Sequence, residues 1–155
     1  MSRLAMCALI AFFLPASASA KKPQCTLRVH VQANENDSAA FATKLRSPTT
    51  GKAIVMEKMP RISEQDVVAF YPYPAADGSY GVLFKLSDHG KLALDTLSVE
   101  RRGGYVYVFV NGRPLAELQI DQRIRDGQLY VASGVTEADL ALMKKEWRLL
   151  GQRKK

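Results

Sequence analysis

Six consecutive apolar or aromatic residues, Tyr105–Val110, stand between Gly103-Gly104 and Asn111-Gly112. A run with no polar alternation predicts a central strand covered on both faces. Asn-Gly readily supplies two successive positive φ angles, so it predicts a tight hairpin into a returning strand, Leu115–Ile120. Pro114 at the start of that return suits a first or edge position, where no ladder N–H is needed.

Other segments read as strands by alternation. In Thr26–Gln32, Leu27, Val29 and Val31 fall on one side and Arg28, His30 and Gln32 on the other, the mark of a half-buried strand. Ala33–Ser38 is a polar loop, Phe41–Arg46 a second strand or an irregular edge, Ser47–Gly51 a turn and Ala53–Lys58 a short strand. Leu27, Val29 and Val31 need cover, so residues 25–58 are expected to join the main sheet. Val67–Tyr73 and Tyr80–Leu86 flank a loop containing Asp77-Gly78 and predict a hairpin. Asp126-Gly127 turns the chain into Leu129–Ala132.

Helical signals are fewer. Pro60–Asp66 reads as a helical turn capped by Ser63, with Glu64 and Asp66 where a helix N-terminus favours negative charge. Ser87 opens a helix to about Val99, with Leu94 and Leu97 inward and Arg101-Arg102-Gly103-Gly104 ending it. Gly90 is expected to weaken its first turn by about 1 kcal/mol relative to alanine. Thr136 and Asp139 resemble a capping box, and Leu140, Met143, Trp147 and Leu150 form the apolar stripe of a last helix capped by Gly151. Strands and helices mix without βαβ alternation. The expected fold is α+β, a largely antiparallel sheet with two main helices on one face.

Residues 1–20 have the layout of a cleaved secretory signal peptide. Arg3 precedes the apolar run Leu4–Leu14, Pro15 breaks it, and Ala18-Ser19-Ala20 stands before Lys21. Cleavage is expected between Ala20 and Lys21. The run is too short for a membrane span of about 20 residues, and Met6 before Cys7 is too large for a lipobox. The expected product is one domain, residues 21–155, without a transmembrane segment, in the periplasm or outside the cell. Residues 25–58 supply its N-terminal strands and 151–155 a basic tail. Without Arg3 the formal charge falls from +7 to +6, and Cys25 is the only cysteine left. Cys25 reads either as a buried core residue or as a thiol pairing between chains.

The order of features over about Met59–Leu150 resembles the head subdomain of the first periplasmic region of SecD, the protein-export factor. The shared features begin with Pro60, the turn Ile62–Val67 and the strand Val82-Leu83-Phe84-Lys85-Leu86. A helix with an early glycine follows (Ser87-Asp88-His89-Gly90), then Val108–Val110 ended by Asn111-Gly112-Arg113. Asp126-Gly127 and Gly134-Val135-Thr136-Glu137-Ala138-Asp139-Leu140 complete the series. The resemblance implies a SecD-head-like fold and a surface that meets other polypeptides. SecD also has transmembrane helices, to which nothing here corresponds, so a proton-driven motor is not implied.

No arrangement of residues announces a reaction. His30 and His89 are the only histidines, and with Cys25 they do not supply the ligand set or spacing of a zinc site. Ser87-Asp88-His89 holds the residue types of a triad, but consecutive residues cannot converge in its geometry. Asp66, Asp88, Asp95, Glu117 and Asp121 offer carboxylates with no spacing that selects a pair. No phosphate-binding or nucleophile-elbow motif is present, and no cofactor is implied. The basic positions Arg101, Arg102, Arg123, Arg125, Lys144, Lys145 and Arg148 read as a solubilising surface, and export argues against a nucleic-acid partner. Phe70-Tyr71-Pro72-Tyr73-Pro74 stands apart. Its rings either pack a hairpin or, where exposed, make a peptide-contact surface, with Phe70, Tyr71 and Tyr73 as the contacts.

The expectation is an exported, non-enzymatic binding module that meets polypeptides in the cell envelope, by strand addition at a sheet edge or at the aromatic segment. A role in protein transport follows by resemblance alone. The alternatives are a small envelope enzyme with an unusual carboxylate site and a structural protein assembling with itself, for which Cys25 offers one route. Oligomeric state is left open.

Overall fold

The run Tyr105–Val110 forms a strand flanked on both sides. In the computed structural model, which describes residues 22–152, this strand, β7, pairs antiparallel with β1 (Leu27–Val31) and β8 (Arg113–Gln119). The short β4 (Ile62–Ser63) lies on the far side of β1, giving the order β4-β1-β7-β8. Asn111 (φ 51°) and Gly112 (φ 75°) make the β7–β8 turn in the left-handed conformations that their types tolerate. The signal-peptide segment 1–20, the Ala20–Lys21 bond and the last three residues of the basic tail lie outside the described residues.

A second sheet is built from β5 (Val67–Pro74), β6 (Tyr80–Leu86), β9 (Gln128–Val135) and β10 (Arg148–Leu149), in the order β10-β5-β6-β9. Every pairing is antiparallel except that of β10 with β5. Two helices, α1 (Asp88–Glu100) and α2 (Glu137–Glu146), complete an α+β fold. Leu27, Val29, Val31, Val106, Val108 and Val110 from the first sheet meet Phe70, Val82, Phe84, Leu129 and Val131 from the second in one core. Leu94 and Leu97 of α1, and Leu140 and Met143 of α2, join it. Alternation does what it promised in β1, β6 and β9: one row of each is removed from water, at about 25 cal/mol per Å² of apolar surface.

Residues 25–58 divide. β1 enters the first sheet, whereas β2 (Ala42–Arg46) and β3 (Ala53–Glu57) make a separate two-stranded sheet, joined to the chain after β1 by the bridge Gln32–Met56. Only Ala42 of β2 is fully buried and no residue of β3 is, so neither strand has the fully buried row of an inner strand. The hairpin instead covers the outer face of the first sheet. Ser47 Oγ donates to the carboxylate of Glu117, the residue opposite Tyr107. His30 Nδ1 lies 2.8 Å from the Glu57 carbonyl oxygen, and Ala33 N donates to Val55 O at 2.9 Å. Tyr107 is buried on that outer face, which gives β7 its second covered side.

Two local expectations change. Ile62-Ser63 pairs with β1 before the turn begins, so the helical part is only the 3₁₀ turn Glu64–Asp66. The last helix does not reach Leu150. It ends at Glu146, Trp147 turns extended (φ −123°, ψ 153°), and Arg148-Leu149 become β10. Trp147 and Leu149 alternate with Arg148, so the same apolar residues satisfy a strand as well as a helix. The backbone contact of Leu150 N to Phe70 O (2.8 Å) settles which forms.

The capping box at α2 ties the two halves together. Thr136 Oγ1 accepts from Asp139 N (3.2 Å), and Asp139 Oδ2 accepts from Thr136 N (3.1 Å). The same carboxylate accepts from Asn111 Nδ2 (2.9 Å) and Arg113 Nη2 (2.7 Å) in the β7–β8 turn. Burial raises the Asp139 carboxyl, but the hydrogen bonds from Thr136, Asn111 and Arg113 outweigh it and hold it below the ordinary range. A carboxyl depressed in the folded state stabilises above its unfolded value, near 4, and that stability is lost as pH falls through the folded value. Asp139→Asn is therefore expected to lose about 1 kcal/mol at neutral pH. In urea unfolding the gap from the parent should narrow below about pH 4; a gap of constant size would refute the linkage.

Candidate functional site

The aromatic segment sits in β5, and strand alternation splits it. Phe70 pairs with Phe84 and is 0% exposed; its ring meets Trp147 edge-on at a centroid distance of 6.4 Å. Phe70 is thus a core residue and not a peptide contact: a period of two puts it on the face opposite Tyr71. Tyr71 is 53% exposed on the outer face, and Tyr73 is half-buried there.

The outer face gains residues that the sequence reading passed over. Tyr71 is registered with Leu83 of β6, and Leu83 with Tyr130 of β9, which is 56% exposed. These three form one row across the sheet. Tyr73 reinforces it from the neighbouring row. It lies over Gly81, where a Cβ would stand 2.2 Å from the phenol ring. Its ring stacks on that of Tyr130 at 5.3 Å and 9°, and its hydroxyl donates to Val131 O at 2.7 Å. Burial and the adjacent Tyr130 hydroxyl push the Tyr73 phenol well above the ordinary tyrosine range, so it stays a protonated donor. Aromatic pairs of this kind add about 0.5–1.5 kcal/mol beyond their buried area. Tyr130 was legible in principle: Leu129 and Val131 alternate around it.

The next row outward reads Arg148, Ala69, Lys85 and Gln128. Arg148 and Lys85 are exposed, and no ion pair holds either of them among the described residues. None of the four strands of this sheet contains aspartate or glutamate. The face is therefore aromatic in its middle and cationic along one border.

Its β5 edge is poorly suited to strand addition. Phe70 O faces outward and accepts from Leu150 N, so Pro72 and Pro74, two and four residues on, occupy the other outward-facing positions. A proline there offers no N–H to an incoming chain.

Other candidate groups are separately engaged. Cys25 is 0% exposed, and burial pushes its thiol up to about 11; it is not placed to join two chains. Asp66 Oδ1 lies 2.7 Å from His89 Nδ1, while its Oδ2 accepts from Ser63 N at 2.9 Å. Asp95 pairs with Arg123 and Glu117 accepts from Ser47, so these carboxylates are not brought together. Among the described residues no group of three or more His, Cys, Asp or Glu is placed to hold a metal ion, and no helix is long and apolar enough to cross a membrane. An open groove of about 580 Å³ runs beside Phe41 and Met59, each 75% exposed. Its charges are internally satisfied, since Glu57 binds Arg61 through both oxygens and also Arg101.

No family model and no curated protein matches the chain. Among solved structures, one of SecDF, described as a membrane component that enhances protein export, is similar at TM-score 0.56 and 13% identity. That match covers 86% of this chain and 70% of the other. A SecDF structure in a super-membrane-facing form is similar at TM-score 0.56 and 12% identity, over 83% of this chain and 20% of that one. The likeness is wider than Met59–Leu150 and takes in N-terminal residues as well. The chain thus has a SecDF-like α+β fold, and at this level of identity the likeness is one of fold.

Proposed function

We propose that this chain is an exported, non-enzymatic binding module of the cell envelope that receives extended polypeptide on the outer tyrosine face of its second sheet. The observation that carries this reading is the row Tyr71–Leu83–Tyr130, stiffened by the stacked and hydrogen-bonded Tyr73. Ordered rings lose little side-chain entropy on binding, and each presents an apolar body with a polar tip. Burying a large side chain of this kind contributes roughly 1.5–3 kcal/mol. With Pro72 and Pro74 along the β5 edge, recognition is led by side chains on the face instead of by backbone pairing. The SecDF-like fold supports a role connected with protein transport.

The test is an amide-resolved NMR titration of the protein with extended, unfolded peptides at low and high salt. Shifts are expected in β5, β6 and β9 around Tyr71, Leu83 and Tyr130. The double variant Tyr71→Ser/Tyr130→Ser should weaken binding at least about tenfold, the loss of one good contact's worth of free energy. Both side chains are exposed, so the fold should persist. Unchanged affinity in that variant, or shifts centred on Phe41 and Met59, would overturn the reading.

A further inference from the structure

We infer that the tyrosine face selects acidic polypeptide segments, extended stretches that combine aromatic or apolar residues with aspartate or glutamate. The inference rests on the polypeptide-contact reading above and adds the chemistry of the partner. Its ground is the asymmetry of charge on the second sheet. Four strands supply the face, and among their residues there are two cations, Lys85 and Arg148, and no carboxylate. Five arginines are matched with carboxylates on other parts of the surface: Arg28 with Glu64, Arg61 and Arg101 with Glu57, Arg113 with Asp139 and Arg123 with Asp95. What sets Lys85 and Arg148 apart is their place: both stand in the row beside the tyrosines, on strands that carry no carboxylate to match them.

The spacing suits an extended chain. Arg148 and Lys85 lie two strands apart, roughly 9.5 Å, while same-side residues of an extended peptide repeat every ~6.8 Å. Both cations have long, mobile stems, so carboxylates two residues apart can reach the pair while an intervening or flanking ring lies on Tyr71 or Tyr130. Arg148 offers its planar fork to one carboxylate and Lys85 a point charge to another. A basic peptide on the same face would leave both cations facing like charge, which discriminates against it. An anionic bilayer is the less fitting occupant: the face is a flat sheet surface with hydroxyl-tipped rings, and the most exposed apolar side chains, Phe41 and Met59, belong to the separate groove.

The deciding experiment compares three unfolded peptides of equal length and equal aromatic content. One carries Asp and Glu, one Ser and Gln, and one Lys and Arg at the remaining positions. Vesicles containing phosphatidylglycerol form a fourth arm. By NMR titration the acidic peptide should bind at least about tenfold tighter than the neutral one at low salt, and most of that advantage should vanish at high salt. Lys85→Gln/Arg148→Gln, two exposed substitutions, should reduce the acidic peptide to the affinity of the neutral one. Equal binding of acidic and neutral peptides would overturn the selectivity and leave the polypeptide-contact reading standing. Binding of the vesicles with none of the peptides would overturn both, as would an absence of shifts in every arm.

Discussion

Trp147→Ala is expected to destabilise the protein by about 3–5 kcal/mol, the range for deleting a large aromatic side chain from a core. Trp147 is 7% exposed at the point where α2 ends and β10 begins. Its ring meets Phe84 edge-on at 5.9 Å and Phe70 at 6.4 Å, so it bridges β5 and β6 from the core side. Its Nε1 donates to Glu64 O at 3.2 Å, which fixes the 3₁₀ turn that precedes β5. Three unrelated segments therefore meet on one side chain. Against a total stability of about 5–15 kcal/mol, the expected loss is a large share. Trp147→Phe should keep most of the packing and lose about 1 kcal/mol with the hydrogen bond. Urea unfolding followed by far-UV circular dichroism measures both, since the alanine variant has no tryptophan to report by fluorescence. A cost below about 1 kcal/mol for Trp147→Ala would mean that the cavity closes by repacking and that the ring is no keystone.

The same residue shows where reading from sequence reached its limit. Leu140, Met143, Trp147 and Leu150 fit a helical stripe, and the helix does form over the first two. Beyond Glu146 the chain can equally alternate, and only a partner strand decides. That partner, Phe70, lies far away in sequence, and no local pattern announces the pairing. Strands that carry their own evidence behaved differently. Val82, Phe84 and Leu86 alternate into the core as expected, and Tyr105–Val110 is covered on both faces. What could not be foreseen for β7 was the identity of the cover, a β2–β3 hairpin that is itself only partly buried.

The contact face was half legible for a related reason. The Phe70–Pro74 segment stood out by composition, but composition does not say which ring points outward; β5 begins with an irregularity between Val67 and Ala69 that resets the pairing. Once the register is known, Tyr71 and Tyr73 belong to the surface and Phe70 to the core. Tyr130, Lys85 and Arg148 come from three other strands, and their convergence is a property of the sheet order β10-β5-β6-β9. The prolines have a second meaning as well. In the sequence they stand beside the rings of a candidate peptide-contact surface; in the sheet they remove N–H groups from an exposed edge and so turn recognition toward the face.

Gly90→Ala provides the sharpest contrast between local and tertiary reasoning. In the first turn of α1 a glycine is about 1 kcal/mol worse than alanine by helix propensity, so the local expectation is that the substitution stabilises. The structure reverses the sign. A Cβ on Gly90 would stand 2.8 Å from Asp66 Cβ, 3.1 Å from Leu86 Cβ and 3.4 Å from Asp66 O. These are backbone and side-chain stem atoms, not the far ends of flexible groups. Asp66 has little freedom to withdraw, since its carboxylate is held by Ser63 N and His89 Nδ1 and its carbonyl oxygen accepts from Ser87 N at 2.7 Å. Overpacking of this kind costs about 1–3 kcal/mol. At the upper end of that range it outweighs the propensity gain, and Gly90→Ala is expected to lose about 2 kcal/mol net. A double-mutant cycle with Asp66→Gly separates the two effects, because that substitution removes the nearest Cβ. On the Asp66→Gly background, alanine at position 90 should cost less than about 1 kcal/mol, leaving a favourable coupling of about 1–2 kcal/mol between the two substitutions. Additive losses would show that Gly90 is required for some reason other than its approach to Asp66, and a stabilising Gly90→Ala on the parent background would show that α1 can move away from the 3₁₀ turn without penalty.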